Sequence, residues 1–310
     1  MLQSDNKGME LNAIKRMERA ARTDQSVISL GQGIPASPAD NRIREAVIRA
    51  MMRDDADAYS DPQGISELRS ALAMRLAKEN MNYGDDEILV TAGAIEALNV
   101  SIRSVIASDK NEIIVPTPVY SAYFKVIEVA GGKTIEVAMD EQKGWALDVD
   151  KIKQSITKQT SAVLLCNPNN PTGTIYKKAE LRKLAAICKR KGITIIVDEV
   201  YRNMIYDNQI FYSLAEESEF KSIVIRVMSF SKDFSLTGWR VGYLHADISH
   251  IPKLTAIHDT LVNCAPVISQ YAALAALQHY DEIIYHSSIL YDNSRKIMAE
   301  SLDRVSDHVS

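Results

Sequence analysis

Short apolar runs alternate with longer amphipathic segments along most of this chain from about residue 86. Each run is continuously apolar and rich in β-branched residues, a pattern typical of strands that are buried on both faces. In chain order the runs are DEILVTAG, NEIIVPTP, GKTIEVAM, SAVLLCNP, ITIIVDEV, SIVIRVMSF and RVGYLHA. This spacing predicts a sheet whose strands are separated by helices.

Helix signals fill several of the intervals between these runs. The segment IEALNVSIRSVIA follows the first run, and KKAELRKLAAICKRKG precedes ITIIV and ends in basic residues and a glycine, as helix C-termini commonly do. A long helical region is predicted after Pro266. Alternation of strands and helices indicates an α/β fold with a mostly parallel, mixed seven-stranded sheet between layers of helices.

Composition and charge narrow the classes of partner. The 310 residues are 46% hydrophobic and 25% charged, with a formal net charge of −4. Nucleic acids and anionic membranes call for clustered positive charge, so neither is expected as a partner. The apolar runs are too short to span a bilayer, and three scattered cysteines suggest no disulfide framework. These features predict a cytoplasmic protein.

The residues that follow the predicted strands offer the chemistry of a binding site. In open α/β sheets, ligands bind at the carboxyl ends of the strands. Gly93, Pro118, residues 167–173, Asp198 and Lys232 each follow a strand directly, so we expect them along one rim of the sheet. A lysine at such a position can be a cation that reaches solvent, or an amine with a lowered pKa that acts as a nucleophile.

The neighbours of Lys232 favour the second interpretation. Several groups near it suit a phosphate. They are the hydroxyls of Ser229 and Ser231, the guanidinium of Arg240, and the backbone amides of Ala94 and Ile95 at a predicted helix start. Asp198 adds a carboxylate and Tyr120 an aromatic face. A phosphorylated aldehyde with a basic ring nitrogen would use all of these features, and pyridoxal phosphate is such a cofactor.

Each of these residues also has an ordinary structural interpretation. Asp198 could cap a helix, NPNNPTG (167–173) could be a simple tight turn, and Tyr120 could be a packing residue. Arg240 could pair with a surface acid. Their joint occurrence on one predicted rim is what favours a site, and the sequence shows no spacing typical of a metal site.

Seven motifs, in order, cover most of the chain and carry a family resemblance. They are SLGQGIP (29–35), YSDPQGISELR (59–69), VTAGAIEAL (90–98), PTPVYSAY (116–123), NPNNPTG (167–173), VDEVY (197–201) and SFSKDFSLTGWRVGY (229–243). On these motifs the chain resembles the class I/II aminotransferases of the fold-type I pyridoxal phosphate enzymes, the group that includes aspartate aminotransferase.

The resemblance implies catalytic roles for three residues. Lys232 would form the internal aldimine with the cofactor and then move a proton between the substrate α-carbon and the cofactor. Asp198 would pair with the pyridine nitrogen and keep it protonated. Tyr201, together with Asn170, would hydrogen-bond the phenolic oxygen of the cofactor.

Further roles in cofactor and substrate binding are implied in the same way. Tyr120 would stack on the cofactor ring, and Gly33 and Asn170 would bind substrate. Tyr59 is similar to a tyrosine that reaches the phosphate of the neighbouring subunit, which implies a homodimer with shared active sites. The phosphate would be held by the turn that begins at Gly93 and by the groups named above, Ala94, Ile95, Ser229, Ser231 and Arg240.

The resemblance also suggests a division of the chain. Residues 1–40 would form an N-terminal arm and part of a small domain, residues 41–285 a large cofactor-binding domain, and residues 286–310 the start of an interdomain helix. Relatives usually continue into a C-terminal domain whose arginine binds the substrate carboxylate, and neither Arg295 nor Arg304 lies in a similar context. A partial chain and a short form with little transaminase activity are both compatible with this pattern.

The leading hypothesis is therefore an enzyme that moves an amino group between an amino acid and a 2-oxo acid by a ping-pong mechanism. Enzymes with the same cofactor site and other outcomes, a C–S β-lyase or a synthase like the one that forms aminocyclopropane carboxylate, stay open. A non-catalytic cofactor-binding module, such as the sensor half of a regulator, is the alternative from another class.

Overall fold

A mixed seven-stranded sheet lies at the centre of the computed structural model, which describes residues 13–24 and 26–305. In chain order the strands are β1 (Ile88–Thr91), β2 (Glu112–Thr117), β3 (Lys133–Ala138), β4 (Thr160–Cys166), β5 (Thr194–Asp198), β6 (Val224–Ser229) and β7 (Gly242–Ala246). In space they follow the order β1-β7-β6-β5-β4-β2-β3, and only the pairs made by β7 are antiparallel. The predicted α/β fold and its strands are confirmed.

Helices cover both faces of the sheet, as the alternation along the chain predicts. Within the described residues they are α1 (Ala13–Ala21), α2 (Asn41–Ala50), α3 (Ser66–Lys78), α4 (Ala94–Val105), α5 (Ala122–Ala130), α6 (Val149–Gln154), α7 (Lys178–Lys191), α8 (Ile251–Val262), α9 (Val267–Gln278) and α10 (Tyr280–Asp303). One face packs against α4, α5 and α8, and the other against α6 and α7. A third apolar cluster joins α2, α3 and α9 to the β1 edge.

The burial of β4 shows why its sequence is continuously apolar. All seven of its residues are buried, and successive side chains enter the apolar clusters on opposite faces. In the edge strand β3 only Val137 is buried, and the charged residues Lys133 and Glu136 are exposed. Strand β4 pairs in register with β5 so that Cys166 lies beside Asp198, which brings both strand ends to the same rim.

A charged network lies inside the sheet, where the apolar pattern gives no sign of it. Arg226 of β6 is fully buried and its Nε donates to Glu199 Oε2 at 2.5 Å. Its Nη1 lies 3.2 Å from Nε2 of His245 on β7. A buried charge is tolerated only when it is paired and hydrogen-bonded. This network joins the residue after β5 to β6 and β7.

Helix α10 passes through the boundary predicted at residue 285, so the division into 1–40, 41–285 and 286–310 stays a prediction, and residues 1–12, 25 and 306–310 lie outside the described part. Among the described helices, none is long and apolar enough to cross a membrane.

Candidate active site

A cavity of about 1140 Å³ opens at the carboxyl ends of the parallel strands. Predicted site residues that line it are Gly33, Ala94, Ile95, Tyr120, Asn170, Asp198, Tyr201, Ser229, Ser231, Lys232 and Arg240. Their motifs are distant in sequence, and the parallel arrangement of the strands brings them to one rim. Its volume lies slightly above the range of about 300–1,000 Å³ that is typical of small-molecule sites.

Lys232 extends from the turn after β6 into this cavity. Its Nζ donates a hydrogen bond to the backbone oxygen of Gly33, and the phenol of Tyr291 donates to the Lys232 carbonyl at 3.3 Å. Partial burial lowers the pKa of the Lys232 ammonium, because desolvation disfavours the charged form. The amine is therefore more readily available as a nucleophile and base than a surface lysine.

Asp198 is the last residue of β5 and lies buried beside the cavity. Its Oδ2 accepts a hydrogen bond from the Tyr123 hydroxyl at 2.7 Å, and its Oδ1 accepts from the backbone N–H of Val200 at 3.1 Å. Burial raises the pKa of the carboxyl to about 6, and these two hydrogen bonds oppose the rise. Carboxylate oxygens have about four acceptor sites between them, so capacity remains for a further donor in the cavity.

Asn170 and Tyr201 come together on the side of the cavity formed by the loop after β4. The Asn170 side chain donates to the Tyr201 hydroxyl at 3.2 Å, which leaves the phenolic O–H able to donate elsewhere. Burial raises the pKa of the Tyr201 phenol, so the group is protonated at neutral pH. The Asn170–Pro171 peptide is cis.

Tyr120 lies half-buried at the start of the segment that leads into α5 and presents its ring to the cavity. Its ring meets that of Tyr123 edge to face, with centroids 5.8 Å apart and an interplanar angle of 81°. Burial raises the pKa of the Tyr120 phenol. A flat ligand ring could stack on this face.

The groups predicted to hold a phosphate lie at another end of the cavity. Gly93 has φ of +88°, which favours glycine, and a Cβ there would stand 2.5 Å from Nη2 of Arg240 and displace the end of that side chain. Arg240 donates to the carbonyls of Thr237 at 2.9 Å and Ala92 at 3.3 Å. The Ser231 amide donates to Ser229 Oγ at 3.1 Å. The turn at Gly93, the Arg240 guanidinium and the turn of Ser229 and Ser231 thus lie together at one end of the cavity, which we call the basic corner.

Two predicted site residues do not line this cavity: Gly93, which directly precedes the lining residue Ala94, and Tyr59. Tyr59 is 84% exposed and does not line the cavity of its own chain. Its predicted role is toward a second subunit, for which an exposed position is required.

Sequence reasoning missed Tyr123, the hydrogen-bond donor to Asp198. It follows Tyr120 by three residues, and i, i+3 spacing at a helix start places two side chains on the same face. That spacing was the available signal. Arg295 also lines the cavity, but its guanidinium is held by both carboxylate oxygens of Asp207 at 2.8 Å and by Asp292.

Known proteins resemble this chain in both sequence and structure. The family model described as "Aminotransferase class I and II" matches residues 25–310. The "Probable aspartate/prephenate aminotransferase" of Aquifex aeolicus is 34% identical over 283 residues, which cover 90% of this chain and 71% of that protein. The "Aspartate aminotransferase" of Sulfurisphaera tokodaii is 34% identical over 281 residues, 90% of this chain and 69% of that one.

Among solved structures, aspartate aminotransferase from Thermus thermophilus with maleate superposes with a TM-score of 0.89 at 26% identity. The superposition covers 96% of this chain and 79% of that one.

Proposed function

The chain belongs to the class I and II aminotransferases, and we propose that it uses pyridoxal phosphate to move an amino group between an amino acid and a 2-oxo acid. The observation that carries the proposal is that one cavity holds the Lys232 amine, whose pKa is lowered by burial, and the buried carboxylate of Asp198. A surface ion pair or a packing role would explain neither position.

The groups in the cavity fit the three parts of this cofactor. The glycine turn at Gly93 and the guanidinium of Arg240, which lies close beside it, suit a phosphate. Asp198 retains acceptor capacity for a ring N–H, and the Tyr201 hydroxyl can donate to a phenolic oxygen. The face of Tyr120 suits a flat ring.

When bound, pyridoxal phosphate would supply a carbonyl carbon that an amine can attack and a ring that withdraws electrons from the substrate α-carbon. Lys232 would serve as the attacking amine and, once free, would take a proton at Nζ and return it. Its hydrogen bond to the Gly33 carbonyl orients Nζ toward the N-terminal segment of the site. Asp198 would hold a proton on the ring nitrogen, and Asn170 would orient the Tyr201 hydroxyl.

Substrates and partners are proposed from the relatives and from exposure. Relatives named aspartate aminotransferases make aspartate the first amino donor to test. Gly33 and Asn170 line the cavity and are the proposed contacts to the substrate. The exposed Tyr59 supports a homodimer in which it serves the partner's site. The three cysteines are unpaired and buried, which supports a reducing compartment such as the cytoplasm.

Borohydride reduction tests the proposed attachment. Reduction of the protein with pyridoxal phosphate should label the peptide that contains Lys232, and Lys232→Ala should abolish the label. Lys221→Ala is the matched control, because Lys221 is also partly buried but pairs with Glu87 at 2.7 Å outside the cavity. A label on another lysine, or none, would refute the proposal.

A panel of amino acids then tests the reaction. Aspartate should convert the absorbance of the bound pyridoxal form to that of the pyridoxamine form, with release of the 2-oxo acid. Release of pyruvate and ammonia from cystathionine without such conversion would indicate a β-lyase instead.

A further inference from the structure

A carboxylate–imidazole pair lies behind the turn that begins α4. Glu96, in the first turn of the helix, accepts a hydrogen bond at Oε2 from the backbone N–H of Ala92 at 2.8 Å. Its Oε1 lies 2.8 Å from Nδ1 of His258 on α8, which is fully buried. The pair forms a hydrogen bond in which the Glu96 oxygen accepts when the His258 ring carries its proton on Nδ1. Residues 162 positions apart thus tie α8 to the turn.

The same turn is held from other directions as well. The Ala92 carbonyl accepts from Nη2 of Arg240 at 3.3 Å, and the Gly93 carbonyl accepts from the Thr91 hydroxyl at 3.2 Å. Gly242 packs against it so closely that a Cβ there would lie 3.1 Å from the Ala94 nitrogen. Glu96 supplies the contact to Ala92 N.

Glu96 bonds a different backbone amide from the one that a capping box uses. In a capping box, the carboxylate at the third helical position bonds the N–H of the residue that caps the helix. Glu180 does this in α7, where it accepts from Lys177 N at 3.2 Å. Glu96 instead bonds the residue before the cap, so its carboxylate does not take the amides of Gly93, Ala94 and Ile95.

We propose that Glu96 and His258 are positioning residues for phosphate binding: they hold the turn at Ala92 and Gly93 from behind, which leaves the amides of the first turn of α4 directed at the anion. The inference rests on the proposed function, because the anion is the phosphate of the cofactor. A negative charge close to a phosphate is unfavourable in itself. Its presence here therefore calls for a compensating role, and holding the turn supplies one.

A comparison of two ligands separates this role from general stabilisation of the fold. The protein without cofactor is titrated with pyridoxal phosphate and with pyridoxal, which lacks the phosphate, while absorbance reports binding. Glu96→Ala and His258→Gln should each weaken pyridoxal phosphate by about tenfold, the usual scale of one lost buried hydrogen bond. The affinity for pyridoxal should change by less than about twofold.

Further variants and a second probe complete the design. Glu96→Gln should lose less affinity than Glu96→Ala, because its amide oxygen can still accept from Ala92 N. Glu180→Ala removes the comparable contact from α7, away from the cavity, and should leave both affinities unchanged. The inhibition constant of inorganic phosphate, measured by competition with pyridoxal phosphate, should be higher in Glu96→Ala than in the wild type.

Each outcome has a defined meaning. Equal losses for both ligands, or no loss for either, would overturn the inference and leave the proposed function standing. Failure of the wild-type protein to bind either ligand would overturn the proposed function and the inference with it. If Glu96→Ala does not fold, Glu96→Gln and His258→Gln decide the matter by the same comparison.

Discussion

At the rim of the sheet, consecutive residues point in different directions: one lies at the cavity and the next packs away from it. Asp198 lies beside the cavity, whereas Glu199 pairs with buried Arg226 behind it. Lys232 extends into the cavity, whereas Asp233 is buried and accepts from the Asn203 side chain at 2.8 Å. Asp198 and Lys232 are therefore each followed by an acidic residue that packs away from the cavity.

Removing the Tyr123 hydroxyl should change how Asp198 ionises. In Tyr123→Phe the ring is kept, but the hydrogen bond that lowers the pKa of the Asp198 carboxyl is lost, so that pKa rises further above about 6. Asp198 then carries less charge at neutral pH. We expect the pH above which pyridoxal phosphate binds tightly to move upward by about one unit, measured by titration between about pH 5 and 9.

Tyr212→Phe is the control for this prediction. It also removes a hydroxyl that donates to a carboxylate, Glu217 at 2.7 Å, but away from the cavity. An unchanged binding profile in Tyr123→Phe would show that the hydroxyl does not set the ionisation of Asp198.

Asp233 should make stability depend on pH. Burial raises the pKa of its carboxyl from an ordinary 3.8 to about 7, so the folded state favours the protonated form. That contribution is fully present below about pH 4 and is lost as the pH rises through 7. Asp233→Asn removes the dependence, so its stability relative to the wild type should rise by a few kcal/mol, on the order of 2, between about pH 5 and 8.

Urea unfolding at several pH values measures this difference. Asp150→Asn is the control, because Asp150 is exposed and its pKa is lowered by Lys183, so its curve should run parallel to the wild type in this range. A constant difference between Asp233→Asn and the wild type would contradict the prediction.

At the scale of elements, close approach of backbone segments shapes the basic corner. Gly93 directly precedes α4 and has φ of +88° and ψ of 169°, a combination that is nearly confined to glycine. Gly242 begins β7 against the same turn. Two glycines at the meeting point of β1, α4 and β7 allow Arg240 to lie beside the helix start.

Gly93→Ala should therefore damage both stability and binding. The new Cβ would meet Arg240 and the backbone would be strained, at a combined cost of about 2–4 kcal/mol. Pyridoxal phosphate affinity should fall because the guanidinium is displaced. Gly144→Ala is the control: its φ is +63° with open space around it, so it should cost about 1–2 kcal/mol and leave binding unchanged. Equal effects of the two substitutions would argue against the close approach at Gly93.

At the scale of the whole molecule, apolar side chains are exposed in two regions, the N-terminal segment and helix α10. Ile28, Leu30 and Ile34 are exposed in the N-terminal segment, and α10 exposes further side chains such as Ile297 and Met298. Exposed apolar surface of this kind marks contacts with other surfaces. Together with the position of Tyr59, it is consistent with the proposed dimer.

Subunit complementation tests whether Tyr59 acts across the dimer. Tyr59→Ala and Lys232→Ala should each be inactive or weakly active alone. Mixing them after dissociation should restore about a quarter of the wild-type sites, because half of the dimers are mixed and each holds one intact site. The measurement is the activity recovered per active site, and the mass of the mixed dimer confirms that it has formed. Absence of recovery would place Tyr59 outside the partner's site.

The local pattern was sufficient for much of the architecture. Continuous apolar runs predicted the strands, and the end of α7 at Gly192, with φ of +60°, followed from its basic last turn and glycine. Because parallel strands end at one rim, the position of Asp198 and Lys232 beside a cavity could also be predicted. These inferences succeed because burial and turn chemistry leave a signal in neighbouring residues.

Contacts between distant polar residues were decided only in the folded chain. The donation of Tyr123 to Asp198, the pair of Arg226 with Glu199 and the pair of His258 with Glu96 join segments that share no local pattern. The periodicity of a sequence indicates which face of a helix or strand is buried. It does not indicate which polar side chain from a distant segment will pair with a polar residue on that face. The sequence alone therefore determined the strands, the helices and the rim, whereas packing in three dimensions decided how each charge at that rim is held.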